Sequence, residues 1–332
     1  MAWDGIRAAK ALHEADLFAR ANVVGVAVGH KVTRGAETDE RCVVVFVDRK
    51  YPAEALRRRD LVPAVVDGVR TDVVETGRFR ALGLIAAESA SRTTRLRPAP
   101  GGVSIAHYKV TAGTLGVLAQ TEDGRAAILS NNHVLANSND AILGDPILQP
   151  GPADGGRTED TIAKLGTFVP LRFLDRELGP IGRAVERGLR PLLRFVGLGL
   201  KRLPSEETNT IDAAVAWPIE EGLVSPEILD VGRVSGTTDA ELGLKVKKSG
   251  RTTGLTRGRI NALDAVVQVD YGGKTAVFRR QVVSDLLSRG GDSGSLVVDE
   301  ANRAVGLLFG GSAVTTLMNP IDGVLTTLGL SL

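Results

Sequence analysis

The chain has 332 residues, 43% of them hydrophobic and 24% charged, with 39 Gly and 14 Pro; this is globular composition with room for a sizeable core, and it excludes bulk disorder, collagen-like repeats and a coiled-coil rod. Forty-one basic against 39 acidic side chains leave a net charge of +2, so the electrostatic footprint of a nucleic-acid binder is missing. Cys42 is the single cysteine and has no partner for an internal disulfide, the first residues carry charges with no apolar signal core, and no run of about 18 apolar residues exists. The sequence therefore predicts a cytoplasmic protein with no transmembrane segment.

Residues 4–21 place Ile6, Leu12, Ala15, Leu17 and Phe18 at roughly helical spacing among charges, which predicts an amphipathic helix. VVGVAVGHKV (23–32) and RCVVVFVDRK (41–50), joined by a turn rich in Gly, Thr and charge, predict a β-hairpin; YPAEALRRRDL predicts a short helix and TDVVETG (71–77) a third strand. Together these make a small α/β N-terminal domain over 1–87. His13 and His30 stand alone in it, so its expected role is structural or regulatory. Residues 88–102 have no apolar period and read as a linker.

From 103 to 332 the pattern changes to short β-prone segments between Gly-rich turns, among them TAGTLGVLAQ, AAILS, IDAAVAW, GSLVVDE and RAVGLLFG. Many short strands at regular spacing predict an all-β barrel or sandwich. NPIDGVLTTLG (319–329) predicts a C-terminal helix. A basic insertion at about 172–202 holds eight cations and three acids. Within it Ile181, Val185, Leu189, Leu192, Val196 and Leu200 recur at steps of three and four, opposite Arg183, Arg187, Arg190 and Arg194. That pattern predicts a basic amphipathic helix, and a subunit or intramolecular interface is its expected use, ahead of an anionic membrane surface; hence the expectation of a homo-oligomer.

The chemistry centres on GDSG at 291–294. A serine hydroxyl needs a positioned base, and glycines beside it let backbone N–H groups reach a developing oxyanion. Of the histidines, His133 stands at a strand end in a tight turn, AAILSNNHVLA, with His107 in SIAHYKV as its rival. Asp212 heads the apolar strand IDAAVA, where a carboxylate is shielded from water; Asp140, Asp145 and Asp160 lack that setting. Asn131 and Asn132 shape the turn before His133 or contact substrate, and DPILQPGPADGG (145–156) is either an ordered loop beside a cleft or a plain connection.

SNNHVLA, IDAAVA and GGDSGSLVV, in the order His, Asp, Ser, resemble the three catalytic segments of chymotrypsin-fold (trypsin-like) serine peptidases, SNNHVLA being especially similar to the HtrA type. KSGRTTGLTRG (248–258) is similar to a strand segment of the streptogrisin-like peptidases, and an N-terminal unit ahead of such a barrel resembles the narrow-leaf type of trypsin-like protein. The resemblance covers about 103–330. It implies a chymotrypsin-like double β-barrel in which His133 is the general base, Asp212 its orienter and Ser293 the nucleophile, with the N–H groups of Gly291 and Ser293 as oxyanion hole. It also implies a primary pocket walled by the segments holding Leu287 and Leu308, Phe309 and Gly310; Leu287 brings no carboxylate, so an uncharged apolar P1 residue is expected. Asp292 would brace the oxyanion loop from behind, paired with Lys248. Two departures stand out: Ser295 and Leu296 occupy positions where many relatives have Gly-Pro, and the basic insertion lengthens the stretch between His133 and Asp212.

No metal-ligand spacing and no phosphate-cradling glycine loop is present, so no cofactor and no metal is expected. The resulting expectation is an intracellular serine endopeptidase acting on protein or peptide substrates. Its rival is a catalytically silent protease-fold scaffold that binds peptides.

Overall fold

The computed structural model describes residues 2–81, 90–174 and 208–332; the helix expected at 181–200 lies outside them. Helix α1 (Trp3–Phe18) is followed by β1 (Val23–Thr33), β2 (Ala36–Val47), β3 (Val65–Val66), β4 (Val69–Glu75) and β5 (Phe79–Arg80). Next come β6 (Ala99–Gly101), β7 (Ser104–His107), β8 (Gly113–Thr114), β9 (Val117–Thr121), β10 (Ala126–Ser130), the short helix α2 (Asn132–Leu135), β11 (Pro146–Leu148), β12 (Thr161–Phe168) and β13 (Ala214–Pro218). Then β14 (Val224–Ile228) and β15 (Gly232–Arg233) lead to β16 (Lys245–Gly250), β17 (Gly254–Asp270), β18 (Thr275–Ser284), β19 (Leu296–Asp299), β20 (Ala304–Gly311) and β21 (Thr316–Pro320). The chain closes with α3 (Ile321–Leu328) and β22 (Leu330–Ser331). No helix among the described residues is long and apolar enough to cross a membrane.

Two β units flank the site. One is a sheet in the order β22-β9-β10-β13-β12-β11-β7-β8, curled around a core of Val103, Ile105, Leu115, Ile128, Ile147 and Leu165. The other is a ring: β16, β19, β20, β21, β18 and β17 pair in succession, and β17 pairs back onto β16. The described residues are mainly β, with an α/β unit ahead of the two β units and the helix α3 after them.

The N-terminal unit is not set apart from the ring. β1 pairs antiparallel with the second half of β17, Gly25 opposite Val267 and Gly29 opposite Ala262, so one sheet runs from β16 through the ring to β3. Gly29 is needed for this approach, since a Cβ there would lie 2.8 Å from the Asn261 carbonyl oxygen. The continuous apolar run of β2 is a strand buried on both faces. Cys42, Val44 and Phe46 enter the core shared with the ring, while Val43, Val45 and Val47 pack under α1.

Two expectations are revised. The helix read from YPAEALRRRDL is a pair of three-residue 3-10 turns, Ala53–Ala55 and Arg58–Asp60, in which no residue is buried; without a face to bury, so short a segment has nothing to hold it helical. The stretch read as a linker carries β6, which pairs in parallel with β14. Ahead of it, Arg92 is buried and donates to the Gly102 carbonyl at 2.9 Å and the Ser249 hydroxyl at 2.8 Å. Polar bonds anchor this segment, which is why it shows no apolar period.

α1 buries Ile6, Ala9, Leu17 and Phe18 together with two charges, Lys10 and Glu14. Lys10 Nζ lies 2.9 Å from Glu14 Oε2 and 3.1 Å from Asp264 Oδ2 on β17, and Arg279 on β18 also pairs with Glu14. Losing Lys10 removes one of the two cations on buried Glu14 and its tie to β17. Lys10→Met is expected to lower the unfolding free energy by about 3 kcal/mol in urea titration. Arg7→Met, at the exposed Arg7–Asp4 pair, should stay within about 0.5 kcal/mol of wild type; equal effects would refute the docking role of Lys10.

Candidate active site

The turn after β10 is built from its own polar side chains. Ser130 Oγ donates to the Thr114 carbonyl at 2.8 Å, Asn131 Nδ2 to the Asp212 carbonyl at 2.7 Å, and Asn132 Nδ2 to the Val169 carbonyl at 2.7 Å. Both asparagines are fully buried. Their bonds run to backbone and to Asn139, which makes them turn-shaping residues.

The turn delivers His133 to Asp212, a fully buried carboxylate one residue short of the apolar run Ala213–Ala216. His133 Nδ1 lies 2.6 Å from Asp212 Oδ2, and the His133 N–H donates to Oδ1 at 3.3 Å. Because a carboxylate only accepts, the ring proton sits on Nδ1 and Nε2 carries the free lone pair. That Nε2 is buried and has no hydrogen-bond partner among the described residues. His107 is different: it is buried with both nitrogens used, Nε2 at 3.0 Å from Asp145 Oδ2 and Nδ1 accepting the Lys109 N–H at 3.2 Å. The Ile142 N–H and His107 hold the Asp145 carboxyl below its ordinary range. His107 is a satisfied structural histidine.

Ser293 packs against β8 and the end of β10 across the seam between the two β units. Its carbonyl accepts the Thr114 N–H at 2.8 Å, and a Cβ on Gly294 would lie 2.1 Å from Ser130 Oγ, so only glycine fits at that position. Ser293 Oγ faces the Phe309 carbonyl at 3.5 Å and is not hydrogen-bonded to His133 in this structure.

The loop before the serine is held from behind. Thr252 Oγ1 donates to the Gly290 carbonyl at 2.6 Å; C=O and N–H point oppositely across a trans peptide, so the Gly291 N–H is turned away from Thr252. Gly291 has φ +97°, and a Cβ there would lie 2.4 Å from Thr252 Oγ1. Among the described residues neither the Gly291 nor the Ser293 N–H finds an acceptor.

Asp292, fully buried, takes the Thr252 and Thr253 N–H groups on Oδ1 at 2.9 and 3.1 Å. On Oδ2 it takes Thr253 Oγ1 at 2.7 Å and the Arg289 N–H at 2.9 Å. Lys248 Nζ, also fully buried, stands 3.3 Å from the same oxygen and donates to Thr253 Oγ1 and to the Gly254 carbonyl. Arg251 pairs instead with Asp154 and so ties the 145–156 loop to this segment.

The expected pocket residues separate. Leu287 is exposed at 46%, whereas Leu308 and Phe309 are fully buried, Leu308 among Val246, Ile260 and Val282 and Phe309 against Phe278. Gly310, beside Phe309, is buried as well.

Sequence reasoning missed Tyr271, in the Tyr-Gly-Gly-Lys turn between β17 and β18. Its hydroxyl donates to Asp212 Oδ2 at 2.7 Å, and its ring stands edge-on to His133 with centroids 5.7 Å apart. Burial of the hydroxyl, followed by the Asp212 charge, pushes the phenol well above its ordinary value, so it remains a donor. A folded-state value raised above the unfolded one gives stability that is fully present below about pH 10 and is lost as pH rises toward the folded value. Wild-type protein should therefore lose stability above about pH 10, and Tyr271→Phe should flatten that loss; parallel pH profiles of thermal unfolding would count against the bond.

Residues 6–75 match the family described as the NARROW LEAF 1 N-terminal domain. The chain is 24% identical over 323 residues to Protein NARROW LEAF 1 of Oryza sativa subsp. japonica, covering 87% of this chain and 51% of that protein. Similar solved structures include Thermobifida fusca Protease A, at 17% identity and a TM-score of 0.45, covering 70% of this chain and 98% of that one. Another is Cellulomonas bogoriensis chymotrypsin, at 19% identity and a TM-score of 0.42, covering 70% and 97%. The chain thus spans about half the length of the curated relative it matches.

Proposed function

We propose that this chain is a serine endopeptidase in which Ser293 is the nucleophile, His133 the general base and then acid, and Asp212 the group that orients His133. The observation carrying this reading is His133 Nε2, a buried nitrogen with no partner among the described residues on a ring whose other nitrogen is locked to a buried carboxylate. An unpaired buried polar atom is costly to keep, and such atoms concentrate where chemistry uses them.

Ser293 Oγ attacks the peptide carbonyl carbon as Nε2 takes its proton, and the Gly291 and Ser293 N–H groups receive the resulting oxyanion. Collapse expels the amine with the proton from His133 and leaves an acyl-enzyme. Water, deprotonated by the same nitrogen, then releases the acid and restores Ser293. Tyr271 and the His133 N–H both donate to Asp212, which holds the carboxylate in place beside the imidazole. The substrate in this reading is a protein or peptide. A reducing cytoplasmic setting fits the one thiol, Cys42, whose burial and the nearby Asp72 push it up to about 12.

The second reading, a silent peptide-binding module, draws support from Ser293 Oγ facing Phe309 rather than His133. A fluorophosphonate probe decides between them. Labelling at Ser293, with peptide turnover lost in Ser293→Ala and reduced about 10⁴-fold in Asp212→Asn, is the expected result. No labelling of folded protein would leave the silent module.

Lys248 and Asp292 form the brace in this proposal. Lys248→Met strands the buried carboxylate and frees the loop, so kcat should fall by about 10²–10³, the cost of losing one oxyanion donor, with KM little changed. Lys245→Met, on an exposed residue of the same strand, should be mild. Normal turnover in Lys248→Met would refute the brace.

A further inference from the structure

The edge of β20 that faces Ser293 is partly taken by the chain itself. β21 covers one edge throughout, with Gly310 opposite Leu317 and Gly311 opposite Thr316. On the other edge the segment leading into β19 reaches only to Leu308, whose N–H donates to the Ser295 carbonyl at 3.0 Å and whose carbonyl accepts the Gly294 N–H at 2.8 Å. Phe309 follows, its carbonyl 3.5 Å from Ser293 Oγ. At Gly311 the edge is closed again, because β5 from the N-terminal unit pairs antiparallel there, Arg80 opposite Gly311. β5 is firmly seated. It pairs in parallel with the end of β17, the Ala81 N–H donates to the Asp270 carbonyl at 2.9 Å, and Phe79, 1% exposed, stands edge-on to Phe46 at 5.8 Å. A Cβ on Gly310 would lie 2.9 Å from the Arg80 carbonyl oxygen.

An extended peptide adds to a free strand edge one residue at a time. If its reacting residue lies beside Ser293, opposite Phe309, the residue before it meets Gly310, and the next would meet Gly311, where Arg80 already sits. We propose that Phe79–Arg80 is a specificity-determining strand that limits the substrate's backbone grip to two residues on the acyl side of the cut bond. This rests on the serine peptidase reading. The substrates selected are peptides that begin, or turn away from β20, beyond the second residue before the cleavage point.

The test is the rate at which peptidyl phosphonates with one, two, three or four residues on the acyl side label Ser293 in the full chain, beside a simple fluorophosphonate. The rate should rise from one residue to two and then stay level. In Phe79→Ala, checked for folding by circular dichroism, the three- and four-residue probes should gain about tenfold, as expected for two restored backbone hydrogen bonds. A tenfold gain from two residues to four in wild type would overturn the proposal, as would a Phe79→Ala series matching wild type. Labelling by the fluorophosphonate in either case keeps the peptidase reading standing; absence of any labelling overturns both.

Discussion

Everything at the site hangs on one carboxylate placed where water cannot reach it. Asp292 is a carboxyl group in the interior, and such a group is tolerable only when paired and saturated with donors. Lys248 supplies the opposite charge, while Thr252, Thr253 and Arg289 supply the donors. Each of those partners lies on the strand, turn or loop that shapes the approach to Ser293. Satisfying the carboxylate thus fixes the loop's curvature, and the direction of the Gly291 N–H follows from the curvature.

The parts of the site legible in the sequence were those whose chemistry demands a residue type in a tight turn. Ser293 in the GDSG turn, His133 at the end of a strand and Asp212 ahead of an apolar run are local patterns, visible without the fold. Tyr271 is not, since a tyrosine in a Gly-Gly turn is unremarkable until the hairpin carrying it folds back over Asp212. Strands such as β2 were visible as β-branched runs, but a run buried on both faces does not say which layers it separates. The union of the N-terminal unit with the ring was therefore hidden, and so was the reach of β5 to Gly311. Arg92 escaped notice for a related reason: a segment anchored by hydrogen bonds lacks the apolar rhythm by which order is read from sequence.

Two histidine–aspartate pairs are described on the same side of the fold, and they differ in burial and in how many ring nitrogens are engaged. His107 has both nitrogens engaged and an aspartate drawn toward the surface. His133 has one nitrogen engaged, by an aspartate wholly out of water, and the other left open. Residue identity is shared; burial and the count of satisfied atoms are not.

The pairing of β1 with β17 also governs the order in which the chain can be completed. Gly25 and Val267 are neighbours in the finished sheet yet are separated by most of the chain, so contact order is high and closure comes late. As the chain emerges from the ribosome, α1 and the β1–β2 hairpin form with one edge of β1 bare. That edge is apolar, and a bare strand edge invites pairing with other chains. The nascent protein carries this exposed seam until β17, Gly254–Asp270, has been synthesised.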